Sequence, residues 1–398
     1  MIHRYQKKGL NFVLDVNSGA VHLLDDISYA VSGLLDENMG DTCPQSIIDA
    51  LPDYTADEIR EAYDELYELK KAGQLFAQDD YIDVSRYIPV NAPVKALCLH
   101  VAHDCNLRCK YCFASTGDFG QGRKIMPPEI AKKAIDFVIA RSGVRHNIEV
   151  DFFGGEPLMA WDTVTQTVDY ARSLEEKYNK KFRFTITTNG LLLDEDKRKY
   201  INENMDNCVL SLDGRREVND EFRKTVAGTG SYDTIVPKFK ALVDERDPNL
   251  DYYARGTFTS HNLDFAEDVL SIADAGFDRL SVEPVTADPG CGYDLTEDDL
   301  PKIEAEYDRL TDIMLERKKE GKPFTFFHFM VDLDQGPCVV KRLRGCGAGY
   351  EYVAVTPDGD IYPCHQFVGK DEFKQGSVLD QSFNCLLYTS PSPRDAHE

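Results

Sequence analysis

Positive charge is what this sequence has least of: Lys and Arg number 45 against 69 Asp and Glu, a formal net charge of −24 at pH 7. Nucleic acid is thereby excluded as a partner, because phosphate binding requires a basic face, and an anionic membrane surface is disfavoured for the same reason. Long apolar runs are missing too. No stretch approaches membrane-spanning length, and residues 1–8 lack the apolar core of a secretory signal, so the protein is expected to be cytoplasmic with no membrane partner. Apolar content of 42% over 398 residues leaves no room for a dominant disordered tract and is enough for two or three ordinary domains. Eleven cysteines in a reducing compartment point to metal or redox work rather than disulfides.

The cysteines are unevenly spread. Cys105, Cys109 and Cys112 lie within eight residues, directly after an apolar run at 94–101 that reads as a β-strand. Three thiolates can hold three irons of a cubane 4Fe-4S cluster and leave the fourth open to a ligand. A structural zinc site is the competing reading, but it wants a fourth Cys or His at paired spacing nearby. Cys98 and Cys208 sit inside apolar strands and read as core thiols. Cys43 has no evident role, and Cys291, in a Pro-Gly-Cys-Gly loop at 289–292, is expected near the mouth of the site.

From 94 to about 322 strand and helix patterns alternate, with strands expected at 94–101, 148–153, 182–188, 208–212, 252–259 and 280–285. Six such units imply an α/β fold of the partial (β/α)6 TIM type, with its chemistry at the carboxyl ends of the strands. The cysteine loop follows the first strand. The second strand ends in Gly154-Gly155-Glu156-Pro157, the third in Thr188-Asn-Gly and the fourth in Ser211-Leu-Asp-Gly. Glycines let backbone approach a ligand, and Glu156 is suited to a cationic amine. Arg223 and Arg255 are candidates for a carboxylate through the bidentate guanidinium fork, a structural ion pair being the alternative for either. Ser231 is expected to cap a helix over 234–243.

Residues 1–80 read as a separate module: a hairpin turning at 17–19, then helices at 26–35, 44–51 and 56–71, the last capped by Thr55, with a possible return strand at 74–77. This pattern is winged-helix-like, and its acidity favours a peptide added to the sheet edge over DNA. Residues 81–93 read as a linker.

With Tyr111 before the third cysteine and the Gly-Gly-Glu-Pro motif one unit later, the chain resembles the radical S-adenosylmethionine (SAM) enzymes. By that resemblance Cys105, Cys109 and Cys112 ligate the SAM-binding 4Fe-4S cluster, while Tyr111, Gly154, Gly155, Glu156, Ser211 and one of Arg223 and Arg255 contact SAM. Further on, Cys346, twelve residues, Gly359, four residues and Cys364 resemble the opening of a SPASM domain, with a hairpin between the two thiols. A zinc hairpin is the competing reading. Cys338, Cys346 and Cys364 would then supply part of one auxiliary 4Fe-4S cluster in a partial domain over 335–384, and the ligands of a second do not appear. Residues 385–398 resemble translated sequencing-adapter read-through on a truncated frame, an ordinary disordered tail being the alternative, so Cys385 is not counted as a ligand.

Recognition module, barrel over 94–325 and SPASM segment together resemble peptide maturases, in particular those that form thioethers in SCIFF (six cysteines in forty-five residues) peptides. The resemblance implies an oxidoreductase that joins a peptide Cys sulfur to a Thr α-carbon. A small Cys-rich precursor peptide and an electron donor such as ferredoxin or flavodoxin would be its partners. Formylglycine formation on a sulfatase and other peptide crosslinks are rivals. Outside enzymology the rival is an iron–sulfur redox-sensing regulator, which the acidic first module disfavours.

Overall fold

The computed structural model describes residues 1–78, 92–331, 346–380 and the backbone of 382–383. Most of the expected linker, Cys338 and the stretch from 384 lie outside the described residues. Two compact units are present, one holding residues 1–78 and the other holding 92–330 with 346–383.

The first unit runs three strands and then three helices: β1 (Ile2–Lys7), β2 (Leu10–Asp15), β3 (Val21–Leu24), α1 (Asp26–Ser32), α2 (Gln45–Ala50) and α3 (Ala56–Lys71). The hairpin is thus a three-stranded antiparallel sheet in the order β1-β2-β3. The extra strand is polar and half exposed, and it is held by pairing, Ile2↔Asp15 through Lys7↔Leu10. Its turn is made by Lys8 and Gly9, both at positive φ, as a two-residue hairpin loop requires. Thr55 and Glu58 form a capping box on α3, whose Ile59, Ala62, Tyr63 and Leu66 are buried. Residues 74–77 are not a strand. There the chain is tied down by single bonds instead, from His22 Nε2 to Gln74 O (2.8 Å) and from Ala77 N to Asp15 Oδ2 (3.1 Å).

The second unit is a parallel α/β sheet. Its first part comprises β4 (Ala96–His103), β5 (Leu107–Cys109), β6 (Lys124–Ile125), α4 (Pro128–Arg141), β7 (Asn147–Gly154), α5 (Trp161–Tyr178), β8 (Lys181–Thr188), α6 (Glu195–Asn204) and β9 (Asn207–Ser211). It continues through α7 (Arg216–Phe222), β10 (Arg223–Thr225), α8 (Tyr232–Asp244), β11 (Asp251–Phe258), α9 (Phe265–Asp274), β12 (Arg279–Pro284), α10 (Leu300–Lys319) and β13 (Thr325–Phe326). Strands β4, β7, β8, β9, β11, β12 and β13 are neighbours in that order and all parallel. On the outer edge of β4 a second parallel strand is added from far along the chain, β14 (Tyr352–Val355). It turns back antiparallel as β15 (Asp360–Tyr362), followed by β16 (Gly376–Ser377) and β17 (Ser382–Phe383).

Strands buried on both faces usually read as continuous apolar runs. Here β4 does so, but β7, β8, β9 and β11 alternate. On β8, Phe182, Phe184 and Ile186 are fully buried against the helices, while Thr185 and Thr187 line a cavity on the other face. The cavity is what makes the inner face polar. Ser231 stands at the N-cap of α8 as expected, but its side chain makes no capping bond: Ser231 Oγ donates to Arg223 O (2.8 Å), and Asp220 Oδ1 accepts from the Ser231 and Tyr232 amides (2.8 and 2.9 Å). An ionised acceptor makes the stronger bond to helix amides. No helix among the described residues is long and apolar enough to cross a membrane.

Candidate functional site

The carboxyl ends of the parallel strands open onto a cavity of about 360 Å³, walled by Cys105, Cys109 and Cys112, by the Gly154–Gly155 backbone, and by Ser211, Arg223 and Arg255. All eight were expected at the site from sequence. Cys105–Cys112 form a loop that two devices hold. One is β10, which pairs antiparallel with β5 so that Arg223 stands opposite Cys109. The other is close packing: a Cβ on Gly117 would stand 2.6 Å from Cys105 Cβ, and one on Gly155 would collide with the carbonyl of Asp104. Only glycine admits this approach.

Glu156 is fully buried behind the cavity wall. Its carboxylate accepts from Leu158 N (3.0 Å), Thr188 Oγ1 (2.7 Å) and Asn189 N (2.7 Å). Asn189 Nδ2 then donates to Asn106 Oδ1 (2.8 Å) and to Cys105 Sγ (3.5 Å), and Leu107 N also donates to that sulfur (3.4 Å). The Gly-Gly-Glu-Pro and Thr-Asn-Gly motifs are therefore one hydrogen-bonded frame ending on a cysteine. The Gly-Gly backbone faces the cavity, and the Glu156 carboxylate braces it.

Tyr111 and Arg223 belong to a second buried network. Tyr111 OH donates to Asp213 Oδ2 (2.6 Å), Arg223 Nη1 donates to Tyr111 OH (2.7 Å) and approaches Asp213 Oδ1 at 3.5 Å. Asp213 comes from the Ser-Leu-Asp-Gly turn, so this triad pins the aromatic residue of the cysteine loop to the end of β9. Burial raises the Asp213 carboxyl's proton affinity and Arg223 pulls it back. Of the two candidate arginines, Arg223 is committed to this triad, whereas Arg255 is exposed in the cavity and faces Asp151 and Glu283.

Three cavity groups escaped the sequence reading: Asp151 on β7, Glu283 on β12 and His365 after β15. The signal was present in the first two, a carboxylate set inside an apolar strand. Glu283 accepts from His328 Nε2 (2.8 Å) and from Ser281 Oγ (2.5 Å). His365 depends on β14 and β15 docking beside β4, and burial lowers it to about 4.

The thiols suit a metal cluster. Burial pushes Cys105 up to about 12 and Cys109 up to about 11, so without a metal both stay protonated. Bound metal ions reverse that balance by coordinating the thiolate. Among the described residues no three His, Cys, Asp or Glu side chains gather around a single ion position, as one zinc would need. Cys346 and Cys364 are brought into electrostatic reach of each other by the β14–β15 hairpin, Cys346 opposing ionisation of the half-buried Cys364. Cys98 and Cys208 are buried core thiols, Cys43 is half-buried, and Cys291 is exposed in its loop.

A parallel α/β sheet whose first loop presents three cysteines to a cavity at its carboxyl edge, followed by a thiol-bearing hairpin, defines the class. Residues 99–253 match the Radical SAM superfamily and residues 346–392 match SPASM, an iron–sulfur cluster-binding domain, the second match running into the stretch expected to be non-native. The chain carries these two domains, and they imply a 4Fe-4S cluster, SAM and auxiliary clusters as cofactors.

Among its relatives is a cysteine-type anaerobic sulfatase-maturating enzyme of Clostridium novyi, 26% identical over 71% of this chain and 76% of that protein. Among solved structures, anSMEcpe with bound AdoMet aligns with 77% of this chain and 82% of its own, at TM-score 0.60 and 20% identity. Streptococcus suis SuiB bound to precursor peptide SuiA aligns with 98% and 88%, at TM-score 0.54 and 18% identity.

Proposed function

We propose that this chain is a radical SAM maturase of a small Cys-rich, SCIFF-type ribosomal peptide, joining a Cys sulfur to a Thr α-carbon. The observation that carries the reading is the first unit. The likeness to peptide-bound SuiB spans 98% of the chain, whereas the likeness to anSMEcpe spans 77%. Among the described residues β3 is an edge of its sheet, and it exposes Val21 and Leu23, 37% and 62%. Exposed apolar side chains on a sheet edge are a liability unless a partner strand covers them. A leader peptide laid along β3 of this winged-helix-like module would do so.

When bound, the cluster supplies the electron that cleaves SAM to methionine and a 5′-deoxyadenosyl radical, which abstracts a hydrogen atom. The chain's own residues position the partners. Cys105, Cys109 and Cys112 would hold the cluster, the Gly154–Gly155 backbone would receive the SAM amine, and Arg255, with Ser211 beside it, would take the carboxylate. Glu156 and the Tyr111–Asp213–Arg223 triad keep that frame rigid. Cys346 and Cys364, with Cys338, would hold part of an auxiliary cluster, and the electron donor would be a ferredoxin or flavodoxin.

The test is incubation of the anaerobically reconstituted chain with SAM, a reductant and a SCIFF-type peptide deuterated at its Thr α-carbons. Deuterium is expected in 5′-deoxyadenosine, together with a peptide that has lost one thiol hydrogen and one α-deuterium. Conversion of a sulfatase Cys peptide to formylglycine in its place would favour the second reading, which the C. novyi relative supports. Removal of residues 1–78 is expected to weaken leader-peptide affinity at least about tenfold while sparing uncoupled SAM cleavage, about 1.4 kcal/mol of strand-addition contacts being enough. Unchanged affinity by fluorescence anisotropy would remove the leader-binding role.

A further inference from the structure

One carboxyl group in the cavity has no part in either of the bracing networks. Asp151 lies on β7, in register with Cys98 of β4 and Thr185 of β8. Val150 and Phe152 on either side of it are buried in the core, while Asp151 lines the cavity that the three cysteines wall. Its Oδ1 is shut off from solvent and has no hydrogen-bond partner. That separates it from the other acids of the site. Glu156 takes three donors, Asp213 is held by Tyr111, Arg223 and the Thr257 amide, and Glu283 is held by Ser281 and His328. An unpartnered buried carboxyl oxygen is destabilising, and such groups concentrate where chemistry needs them.

The charged and titratable groups around Asp151 set its behaviour. Arg255 of β11 faces it and favours its ionised form, whereas burial favours the neutral acid. Cys98 of β4 and Tyr352 of β14, which feel its charge, are themselves held protonated by burial. Glu283 and His365 line the same cavity and sit in the field of Arg255. Burial raises Asp151 to about 7, so both its forms are populated near neutrality. His365 and Gln366 bring the backbone next to Cys364 into the same wall, so a proton acceptor and the thiol hairpin border one space.

The geometry points to Asp151 as the base that takes the thiol proton of the substrate cysteine when the carbon–sulfur bond forms, an inference that rests on the peptide-crosslinking reading. By that stage the peptide α-carbon has given a hydrogen atom to 5′-deoxyadenosyl, producing 5′-deoxyadenosine. Joining the carbon radical to the cysteine forms a C–S bond and breaks an S–H bond, which releases one proton and one electron. The proton goes to the Asp151 carboxylate, and the electron goes to an iron–sulfur acceptor of the SPASM type. The charge of Arg255 favours the accepting, ionised form of that carboxyl against the burial that favours the neutral acid.

Asp151→Asn and Asp151→Glu are to be compared with the unmodified full chain, each reconstituted with iron and sulfide and given the Thr-deuterated peptide. Iron per chain, peptide affinity and deuterium transfer into 5′-deoxyadenosine are expected to stay within about twofold in Asp151→Asn, because neither cluster nor abstraction uses this group. Crosslinks formed per 5′-deoxyadenosine should fall by about 10²-fold or more, the range for loss of a positioned base. Asp151→Glu should recover part of that ratio. In the unmodified chain the ratio should rise with pH through about 7, and in Asp151→Asn it should be flat. A normal ratio in Asp151→Asn, or Glu performing no better than Asn, overturns the assignment of the base and leaves the peptide reading standing. So does loss of deuterium transfer or of iron in Asp151→Asn, which would assign Asp151 to abstraction or to the frame. Absence of deuterium transfer in the unmodified chain overturns the peptide reading and this inference with it.

Discussion

Replacing Cys105, Cys109 and Cys112 together with alanine is expected to reduce 5′-deoxyadenosine formation to background under anaerobic, reducing conditions. The three sulfurs wall one cavity, and each is delivered there by different local structure: Cys105 by the Asn189 and Leu107 donors, Cys109 by pairing opposite Arg223, and Cys112 by the turn that bonds its amide to Cys109 O (3.2 Å). Alanine removes the ligands without enlarging a side chain, so the parallel sheet should fold unchanged. Far-ultraviolet circular dichroism should therefore match the parent while iron content drops by one cluster. Reductive SAM cleavage that persists in this variant would mean that the cluster is held elsewhere.

Arg223→Met is expected to be the most destabilising single change at the site, by about 3–5 kcal/mol, because it strands a buried carboxylate. Asp213 is 0% exposed and has Arg223 as the guanidinium partner of its own triad. Methionine fills similar volume, so the loss comes from charge and hydrogen bonding rather than from a cavity. Tyr111→Phe, which deletes one bond at each end but leaves the ion pair, should cost only about 1–3 kcal/mol. Denaturant melts of the reconstituted protein read both. The double change Arg223→Met with Asp213→Leu should regain much of the single-variant loss, since removing both charges removes the desolvation problem. A loss below about 1 kcal/mol for Arg223→Met would show that the triad does not hold the cysteine loop. Faster cluster loss in Arg223→Met than in Tyr111→Phe is the accompanying expectation, because Arg223 also sits on the strand paired to Cys109.

The sheet was legible in the sequence because its signals are short-ranged. Six expected strands each fall within two residues of an observed one, the largest offset being 94–101 against Ala96–His103. A period of two in hydrophobicity is written into the strand itself and needs no partner to be read. The same holds for α3, where Thr55 and Glu58 are three residues apart and interact through one helical turn. Cys105, Cys109 and Cys112 were identifiable because a single loop carries all three. In contrast, β1 was missed since its side chains are polar and its stability comes from backbone pairing with β2, which no local pattern records.

The division follows from range. By itself the sequence determined the parallel strands from β4 to β12 and the helix α3, which loop carries the thiols, and which motifs stand at the carboxyl ends of β7, β8 and β9, because those depend on residues a few positions apart. Only tertiary structure decided what the polar side chains at those ends do. Glu156 became a brace because Thr188 and Asn189 arrive from 32 and 33 residues away. Arg223 became a buried partner of Tyr111 across 112 residues, which left Arg255 as the cation in the open cavity. Cys98 met Tyr352, and His365 entered the site, because β14 pairs with β4 across some 250 positions of chain, Tyr352↔Ala96. A hydrogen bond or a desolvation penalty is set by what stands within a few ångströms, and for these groups the neighbours are supplied by the fold.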